Sequence, residues 1–162
     1  FVAHIAVFRE IEIFDIREQE SIVKNIVYKQ ADLMIMGDEL KNYCDSISSL
    51  HAIEHFGLGR YGDPIDANGH LKAIDNIHKI LKLDGIFYFS VPIGKLRIEF
   101  NAHRVFSLEY LIKILNKKFT IDRFSYVDDK GDLFENIELT KESINTNLNC
   151  NYGCGIFELT KI

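Results

Sequence analysis

The chain has 162 residues, with 19 lysines and arginines against 24 aspartates and glutamates, and a formal charge of −5. Hydrophobic residues make up 47% of the sequence, which is enough to bury a core, and the length predicts one domain over residues 1–162. The acidic balance gives no electrostatic argument for nucleic acid or an anionic membrane as a partner. Three scattered cysteines and the lack of a long apolar stretch favour free thiols and a cytoplasmic location.

The predicted elements alternate between strands and helices. Strands are predicted over residues 10–16, 25–30, 45–52, 86–91, 119–127 and 155–159. Helices are predicted over residues 1–9 (the end of an apolar helix), 70–84 and 107–116. Asn68 and Ser107 are the predicted caps of the second and third helices, and a glycine-rich loop over 56–69 precedes the second. This alternation predicts an α/β layered sheet.

The segment Gly57–Gly62 fits the pattern G-x-G-x-x-G of dinucleotide-binding loops. Such a loop needs a helix directly behind it, so that the pyrophosphate meets free N–H groups. Here Asp63 and Pro64 follow, and the helix begins only near His70. The sequence therefore predicts an irregular loop shaped by its glycines.

His51, Glu54 and His55 form the H-x-x-E-H pattern of inverted zincins, in which two histidines on one helix hold zinc. Strand character before His51 and a glycine soon after His55 argue against that helix. A zinc metallopeptidase stays as an alternative, and no metal site is predicted. Cys150 and Cys154 lack two further ligands nearby, so they are interpreted as core or loop cysteines.

Polar side chains follow three successive predicted strands. Asp15 ends the first strand, where a carboxylate can accept both ribose hydroxyl protons of a nucleoside. Asp32 ends the second, where it can accept a hydrogen bond from an adenine amino group. Ser49, His51, Glu54 and His55 accompany the end of the third. In open α/β sheets ligands bind outside the carboxyl ends of the strands, so this series predicts a ligand site.

The order of these segments resembles the second half of class I S-adenosylmethionine-dependent methyltransferases. Leu81–Pro92 is similar to the "LKPGG-strand-P" signature of that superfamily. More closely, the blocks EHFGLGRYGDPID, FNAHRVF and YGCGIFEL resemble an uncharacterised bacterial group of methyltransferase-like proteins of unknown function, over nearly the whole chain. The resemblance implies a Rossmann-like three-layer sandwich and S-adenosylmethionine as cofactor.

The resemblance also implies roles for individual residues. The cofactor would be held by Asp15, Asp32, Leu33, Ser49, Leu50 and His51. Acid–base chemistry would fall to Glu54, His55 and His103. The acceptor, a small molecule or a glycan, would meet Arg60, Tyr61, Asp63, Asn101 and Arg104. His78, on the apolar face of the second helix, is expected to be a core histidine.

The sequence departs from the superfamily at its beginning. Members begin with a strand that ends in a glycine-rich loop, whereas no glycine precedes Gly37 here. Residues 1–9 correspond to the helix after that loop, so we expect the first strand and the loop to be absent. The alternative to an enzyme is a non-catalytic remnant or interaction module. Its unpaired sheet edge would promote self-association.

Overall fold

The computed structural model describes residues 1–99 and 102–162, which fold into an α/β arrangement with three sheets. Its helices are α1 (Val2–Ala6), α2 (Gly69–Ile80), α3 (Leu108–Leu115) and α4 (Lys141–Thr146). Its strands are β1 (Ile11–Asp15), β2 (Ile26–Gln30), β3 (Cys44–Leu50), β4 (Leu81–Ile93), β5 (Arg97–Glu99), β6 (His103–Val105), β7 (Phe119–Val127), β8 (Leu133–Phe134) and β9 (Gly153–Lys161). The predicted α/β class is confirmed.

The largest sheet has five strands in the order β3-β4-β9-β7-β8. β3 and β4 are parallel, whereas β9 is antiparallel to both β4 and β7. Burial alternates with every residue along β9, because successive side chains of a strand point to opposite faces. The buried aromatic side chains of this sheet form the centre of the core: Phe87, Phe89, Phe119, Phe124 and Phe157. Fully burying each such side chain stabilises the fold by about 1.5–3 kcal/mol.

β1 and β2 form a separate parallel ribbon, and β5 and β6 form a separate antiparallel hairpin. Among the residues described, β1 pairs only with β2 and β3 pairs only with β4, so each has one unpaired edge. Within residues 1–99 and 102–162, no strand joins the ribbon to the five-stranded sheet.

Helices α2 and α3 cover the core because their apolar residues recur at helical spacing. In α3 the buried residues are Leu108, Leu111 and Leu115, and the Ser107 side chain accepts a hydrogen bond from the Tyr110 N–H, as predicted for a cap. In α2 the buried Ile74 and Ile77 contribute to the same core. The interpretation of His78 agrees with its contacts, since it lies half-buried against Phe119, with Nε2 3.2 Å from the carbonyl oxygen of Ile162.

The predicted boundary between α2 and β4 is wrong. The helix ends at Ile80, and the extended strand begins at Leu81 rather than at Ile86. The pairing of β3 with β4 shifts register between Cys44 and Ser46, and Asp84 adopts a positive φ of 60° in the bulge. A side chain at Gly85 would lie 2.8 Å from the carbonyl oxygen of Lys82, which explains the glycine. The apolar spacing predicts that the helix continues to residue 84, but pairing with β3 makes the chain extended from Leu81 onwards.

One smaller expectation also needs correction. Asn68 occupies the N-cap position of α2, but its side chain makes no capping hydrogen bond. The segment 128–151 contains β8, α4 and a short 3₁₀ helix over Asn147–Asn149. Among the residues described, no helix has the length and apolar character needed to cross a membrane.

Candidate functional site

A cavity of about 950 Å³ lies between the β1–β2 ribbon and the edge of β3. Its volume is at the upper end of the range typical of small-molecule sites, about 300–1,000 Å³. All six residues predicted to hold a cofactor line this cavity: Asp15, Asp32, Leu33, Ser49, Leu50 and His51. The cavity is also lined by three of the residues predicted for catalysis or acceptor binding: His55, Tyr61 and Asp63. The fold thus brings together side chains that are separated along the sequence.

Asp15, at the end of β1, holds a bidentate ion pair with Arg17. Arg17 Nε donates to Oδ1 at 3.0 Å and Nη2 donates to Oδ2 at 2.9 Å, while the Arg17 N–H donates to Oδ1 at 2.9 Å. These hydrogen bonds from Arg17 lower the pKa of Asp15 against the opposing effect of burial. An ionised carboxylate has about four lone-pair positions, so Asp15, which accepts three hydrogen bonds from Arg17, remains able to accept about one more from a ligand.

Asp32 and Leu33 follow β2 in a tight turn. The Asp32 carboxylate oxygen Oδ1 accepts a hydrogen bond from the Met34 N–H at 2.8 Å. The Leu33 carbonyl accepts one from Asn76 Nδ2 at 2.7 Å, which ties this turn to α2. The turn therefore has a fixed position beside the cavity.

Ser49, Leu50 and His51 end β3 beside the strand β4. Ser49 is buried and Leu50 is exposed, and the His51 N–H donates to the carbonyl oxygen of Ser90 at 2.9 Å. His51 has a positive φ of 53°, which is uncommon for a residue other than glycine. Backbone in this conformation at the end of a strand is typical of functional sites.

Both ring nitrogens of His51 are engaged. Nδ1 lies 3.0 Å from Glu54 Oε1, and Nε2 lies 3.1 Å from Cys154 Sγ. The contact with Cys154, and then that with Glu54, raise the pKa of His51 to about 10. The Glu54 side chain is only 2% exposed. The ring is therefore protonated at neutral pH, and it lies between a carboxylate and a thiol.

The geometry of His51, Glu54 and His55 differs from that of a zincin. Ile53–His55 is one turn of 3₁₀ helix, so the two histidines do not share one face of an α-helix. His55 Nδ1 lies 2.7 Å from the carbonyl oxygen of Ala102, away from the partners of His51. In residues 1–99 and 102–162, no group of three or more His, Cys, Asp or Glu side chains could hold a metal ion.

The G-x-G-x-x-G segment is an irregular loop, as predicted. Gly57, Gly59 and Gly62 all have positive φ, and α2 begins only at Gly69. A Cβ on Gly57 would lie 2.0 Å from the carbonyl oxygen of Asp66, so close backbone approach requires glycine there. The segment lacks the adjoining helix N-terminus that a dinucleotide site uses.

Asp63 organises this loop from within. Its Oδ2 accepts hydrogen bonds from the N–H groups of Gly57 at 2.8 Å and Gly59 at 3.2 Å, and Oδ1 accepts one from Tyr61 at 3.1 Å. Burial raises the pKa of Asp63, but the donors together lower it below its ordinary value. These contacts give Asp63 a loop-stabilising role beside the cavity.

Arg104 supports the same loop from β6. It is only 4% exposed, and its guanidinium donates to the backbone carbonyls of Phe56, Glu54 and Ala67. The expected role of Arg104 in acceptor binding does not fit this burial, because the donors face the protein backbone. Its contacts are those of a residue that holds the loop against the β5–β6 hairpin.

Tyr61 and Arg60 present polar and aromatic surface near the cavity. The guanidinium carbons of Arg17 and Arg60 lie 5.2 and 5.4 Å from the centroid of the Tyr61 ring. His55 packs edge-on against the same ring at 5.5 Å. Arg60 Nη1 also donates to the carbonyl oxygen of Ala102 at 3.0 Å. Two cations and an exposed aromatic ring thus lie beside one another.

His103 lies on β6 with a ring that is partly covered. Its centroid is 6.0 Å from that of His55 and 5.2 Å from that of Tyr152. Burial, and then the charge of His55, lower the pKa of His103, so its neutral form dominates at pH 7. Its buried Nε2 has no hydrogen-bond partner within residues 1–99 and 102–162. Asn101, also predicted to face the acceptor, lies outside the described residues.

Two residues of this region escaped the sequence interpretation. Arg17 was not assigned a role, although an arginine two residues after a strand-end aspartate could have indicated the ion pair. Cys154 was treated as a core or loop cysteine. It reaches His51 because β9 pairs with β4, with Cys154 opposite Pro92. No local pattern could indicate a contact between residues 103 positions apart.

The fold is similar to that of several solved proteins, among them methyltransferases. The crystal structure of MccD protein matches with a TM-score of 0.63 at 14% identity, over 95% of this chain and 80% of that chain. A 1,6-didemethyltoxoflavin-N1-methyltransferase from Burkholderia thailandensis, solved with S-adenosylhomocysteine, matches with a TM-score of 0.61 at 14% identity, over 93% of this chain. The N-methyltransferase NodS from Bradyrhizobium japonicum WM9, also solved with S-adenosylhomocysteine, matches with a TM-score of 0.56 at 14% identity, over 94% of this chain.

These similarities define the class of fold. The chain has the Rossmann-like α/β fold of S-adenosylmethionine-dependent methyltransferases, and at such identities the likeness concerns the fold alone. It spans 60% and 66% of the lengths of the Burkholderia and Bradyrhizobium enzymes.

The family follows from the sequence itself. The chain belongs to the family described as Caenorhabditis protein of unknown function, DUF268, whose model matches residues 9–154. A group of unknown function was expected, but the description names Caenorhabditis rather than bacteria. None of the curated proteins matches the chain significantly.

Proposed function

We propose that the protein binds S-adenosylmethionine in the cavity between β1 and β3 and transfers its methyl group to a polar small molecule or a glycan. One observation carries this proposal: polar side chains from three separate segments converge on a single cavity of about 950 Å³. Asp15, Asp32 and Ser49 belong to segments that end three strands of a methyltransferase-type fold. Ligands of such folds bind at the carboxyl ends of the strands.

The chemistry of the lining fits this cofactor. Asp15 has about one lone-pair position beyond the three used by Arg17, so it can accept a hydrogen bond from a ribose hydroxyl. Asp32 lies in a turn fixed by Met34 and can accept from the adenine amino group. Ser49, Leu50 and His51 line the cavity at the end of β3, where the methionine portion would lie. The bound cofactor supplies an electrophilic methyl group on a sulfonium.

The remaining step falls to side chains of this chain. Methyl transfer requires that the acceptor be aligned, and a base assists where the acceptor must lose a proton. His103 suits that role by its protonation state, because its neutral form dominates at pH 7, but its Nε2 is buried and His103 does not line the cavity. His55, which lines the cavity, lies next to it. Tyr61 and Arg60 offer an aromatic ring and a cation to a polar acceptor or a sugar.

Titration calorimetry with S-adenosylhomocysteine tests the cofactor site. We expect one molecule to bind per chain, and Asp15→Asn to weaken binding about tenfold or more, since a hydrogen bond to a charged group contributes about 1.5–3 kcal/mol. Asp38→Asn is the matched control, because Asp38 is exposed and does not line the cavity. The absence of binding to the wild-type chain would overturn the proposal. Equal affinities for wild type and Asp15→Asn, with both variants folded by circular dichroism, would overturn the placement of the ribose.

A further inference from the structure

Cys154, His51 and Glu54 form a chain of polar contacts, of which the proposed cofactor site uses only His51, as part of its lining. Cys154 Sγ lies 3.1 Å from His51 Nε2, and His51 Nδ1 lies 3.0 Å from Glu54 Oε1. A nucleophile beside an imidazole whose other nitrogen is held by a carboxylate is the arrangement that activates cysteine in enzymes. The three residues come from β9, from the residue after β3 and from the 3₁₀ turn Ile53–His55.

The buried carboxylate of Glu54 favours the protonated form of the His51 imidazole. Glu54 is 2% exposed, and its Oε2 has no hydrogen-bond partner within the described residues. A buried carboxylate with one oxygen unpartnered is costly unless a cation lies against it. His51 is the cation that contacts it, and contact with Cys154 and with Glu54 raises the pKa of His51 to about 10.

We propose that Cys154 is a nucleophilic thiol site that reacts with small disulfides, with the His51 imidazolium as the cation that stabilises its thiolate and Glu54 as the positioning residue of His51. The thiol proton is lost to the solvent, and the His51 imidazolium donates a hydrogen bond from Nε2 to the resulting thiolate. The thiolate attacks one sulfur of the disulfide, a new S–S bond forms to Cys154, and the original S–S bond breaks. The leaving thiolate takes up a proton from the solvent. Cys154 is thereby oxidised, the released thiol is reduced, and an excess of thiol reverses the step.

The other two cysteines provide internal controls. Cys150 is 7% exposed, and burial, followed by the charges of Asp129 and Asp128, raises its pKa to about 11. Burial also raises the pKa of Cys44. Neither has a histidine among its hydrogen-bond partners in the described part of the chain. Because thiolates are the reactive species, Cys44 and Cys150 are expected to be inert in the folded protein.

Other titratable groups surround the pair and contribute to its pH dependence. Tyr152 precedes β9, and it interacts electrostatically with Glu54, Arg97 and Glu99 as well as with Cys154. His103 lies against the Tyr152 ring. Arg97 and Glu99 form an ion pair with each other on β5, so their charges largely cancel at the thiol. This leaves His51 as the cation in direct contact with Cys154.

The test is the rate at which each cysteine of the full chain reacts with iodoacetamide, followed by peptide mass spectrometry. We expect Cys154 to be alkylated about tenfold or more faster than Cys44 and Cys150 at neutral pH, and at a rate nearly constant between about pH 6 and pH 8. An ordinary thiol would react roughly tenfold faster for each pH unit over that range. Oxidised glutathione should then add one glutathione per chain, on Cys154, and dithiothreitol should remove it.

Substitutions show whether His51 activates Cys154 or whether Cys154 reacts only because it is exposed to the reagent. His51→Asn should make the alkylation rate of Cys154 rise steeply with pH and fall about tenfold at pH 6, whereas Glu54→Gln should have a smaller effect in the same direction. If a variant unfolds, Cys44 and Cys150 become labelled as well, and the wild-type pH profile alone decides. A wild-type Cys154 that reacts no faster than Cys44, or a rate that climbs tenfold per pH unit, would overturn the proposal. The reaction of Cys154 needs no bound cofactor, so the outcome of this test does not depend on the methyltransferase function.

Discussion

At the scale of single residues, His70 shows how burial sets a protonation state. It is 6% exposed, its Nε2 lies 2.6 Å from the Tyr110 hydroxyl, and its ring packs against Phe106. Burial, and then the charge of Arg104, lower the pKa of His70 from 6.5 to about 4. The fold therefore holds this imidazole neutral at pH values where an exposed histidine would be charged.

This depressed pKa predicts a loss of stability in mild acid. Below pH 6.5 His70 is protonated in the unfolded chain, whereas in the folded chain it stays neutral until about pH 4. The contribution of His70 to the free energy of unfolding is thus fully present above pH 6.5. It falls by about 3 kcal/mol in total as the pH drops towards 4. In His70→Gln, which keeps an acceptor for Tyr110, the fall in melting temperature over this range should be smaller than in wild type. His4→Gln, at an exposed position, is the control, and identical pH profiles for all three proteins would contradict the prediction.

At the scale of elements, the loop between the 3₁₀ turn and α2 is held by charged side chains and has no regular backbone pairing. Asp63 accepts from three loop N–H groups, and Arg104 donates to loop carbonyls from the opposite side. Three glycines in the left-handed region allow the tight path. The loop thereby keeps Tyr61 beside the cavity without a helix or strand of its own.

We expect Asp63→Asn to loosen this loop selectively. The amide keeps the shape of the side chain but loses the charge that strengthens its hydrogen bonds, at a cost of about 1–3 kcal/mol. Hydrogen exchange should therefore accelerate about tenfold or more at the amides of Gly57, Gly59 and Tyr61, and remain unchanged in β4 and β9. Asp38→Asn should leave the exchange of the loop as in wild type. Unaltered loop exchange in Asp63→Asn would show that the carboxylate does not hold the loop.

The elements also show what the sequence could and could not predict. β1, β7 and α3 were predictable, because local alternation, helical spacing and the Ser107 cap act within a few residues. The bulge at Asp84 was not, since pairing with β3 determines it. Likewise, Asp15 could be placed at a strand end, but the contact of Cys154 with His51 depends on the pairing of β9 with β4. Sequence reasoning failed where partners distant along the chain decide the outcome.

At the scale of the whole molecule, the ribbon and the five-stranded sheet meet through polar contacts around an open cavity. The Tyr43 hydroxyl donates to Glu12 Oε1 at 2.9 Å, and Lys29 Nζ donates to Tyr43 at 3.1 Å. β1 and β3 both flank the cavity, and each keeps one edge without a strand partner among the residues described. Rows of backbone N–H and C=O groups on such edges pair readily with another strand. A two-stranded ribbon on its own is also only marginally stable.

We therefore expect the chain to self-associate through the edge of β3, with a second copy as the partner. Sedimentation velocity should show a weight-average mass that increases with protein concentration. Ser48→Lys should weaken the association, because Ser48 is exposed on β3 and like charges on adjoining strands cost about 0.2–1 kcal/mol per pair. Leu96→Lys, at an exposed site on the β4–β5 turn, adds the same charge away from β3 and should associate as wild type does. A monomer at every concentration would contradict the prediction, and equal weakening by both variants would assign the effect to net charge instead of the edge.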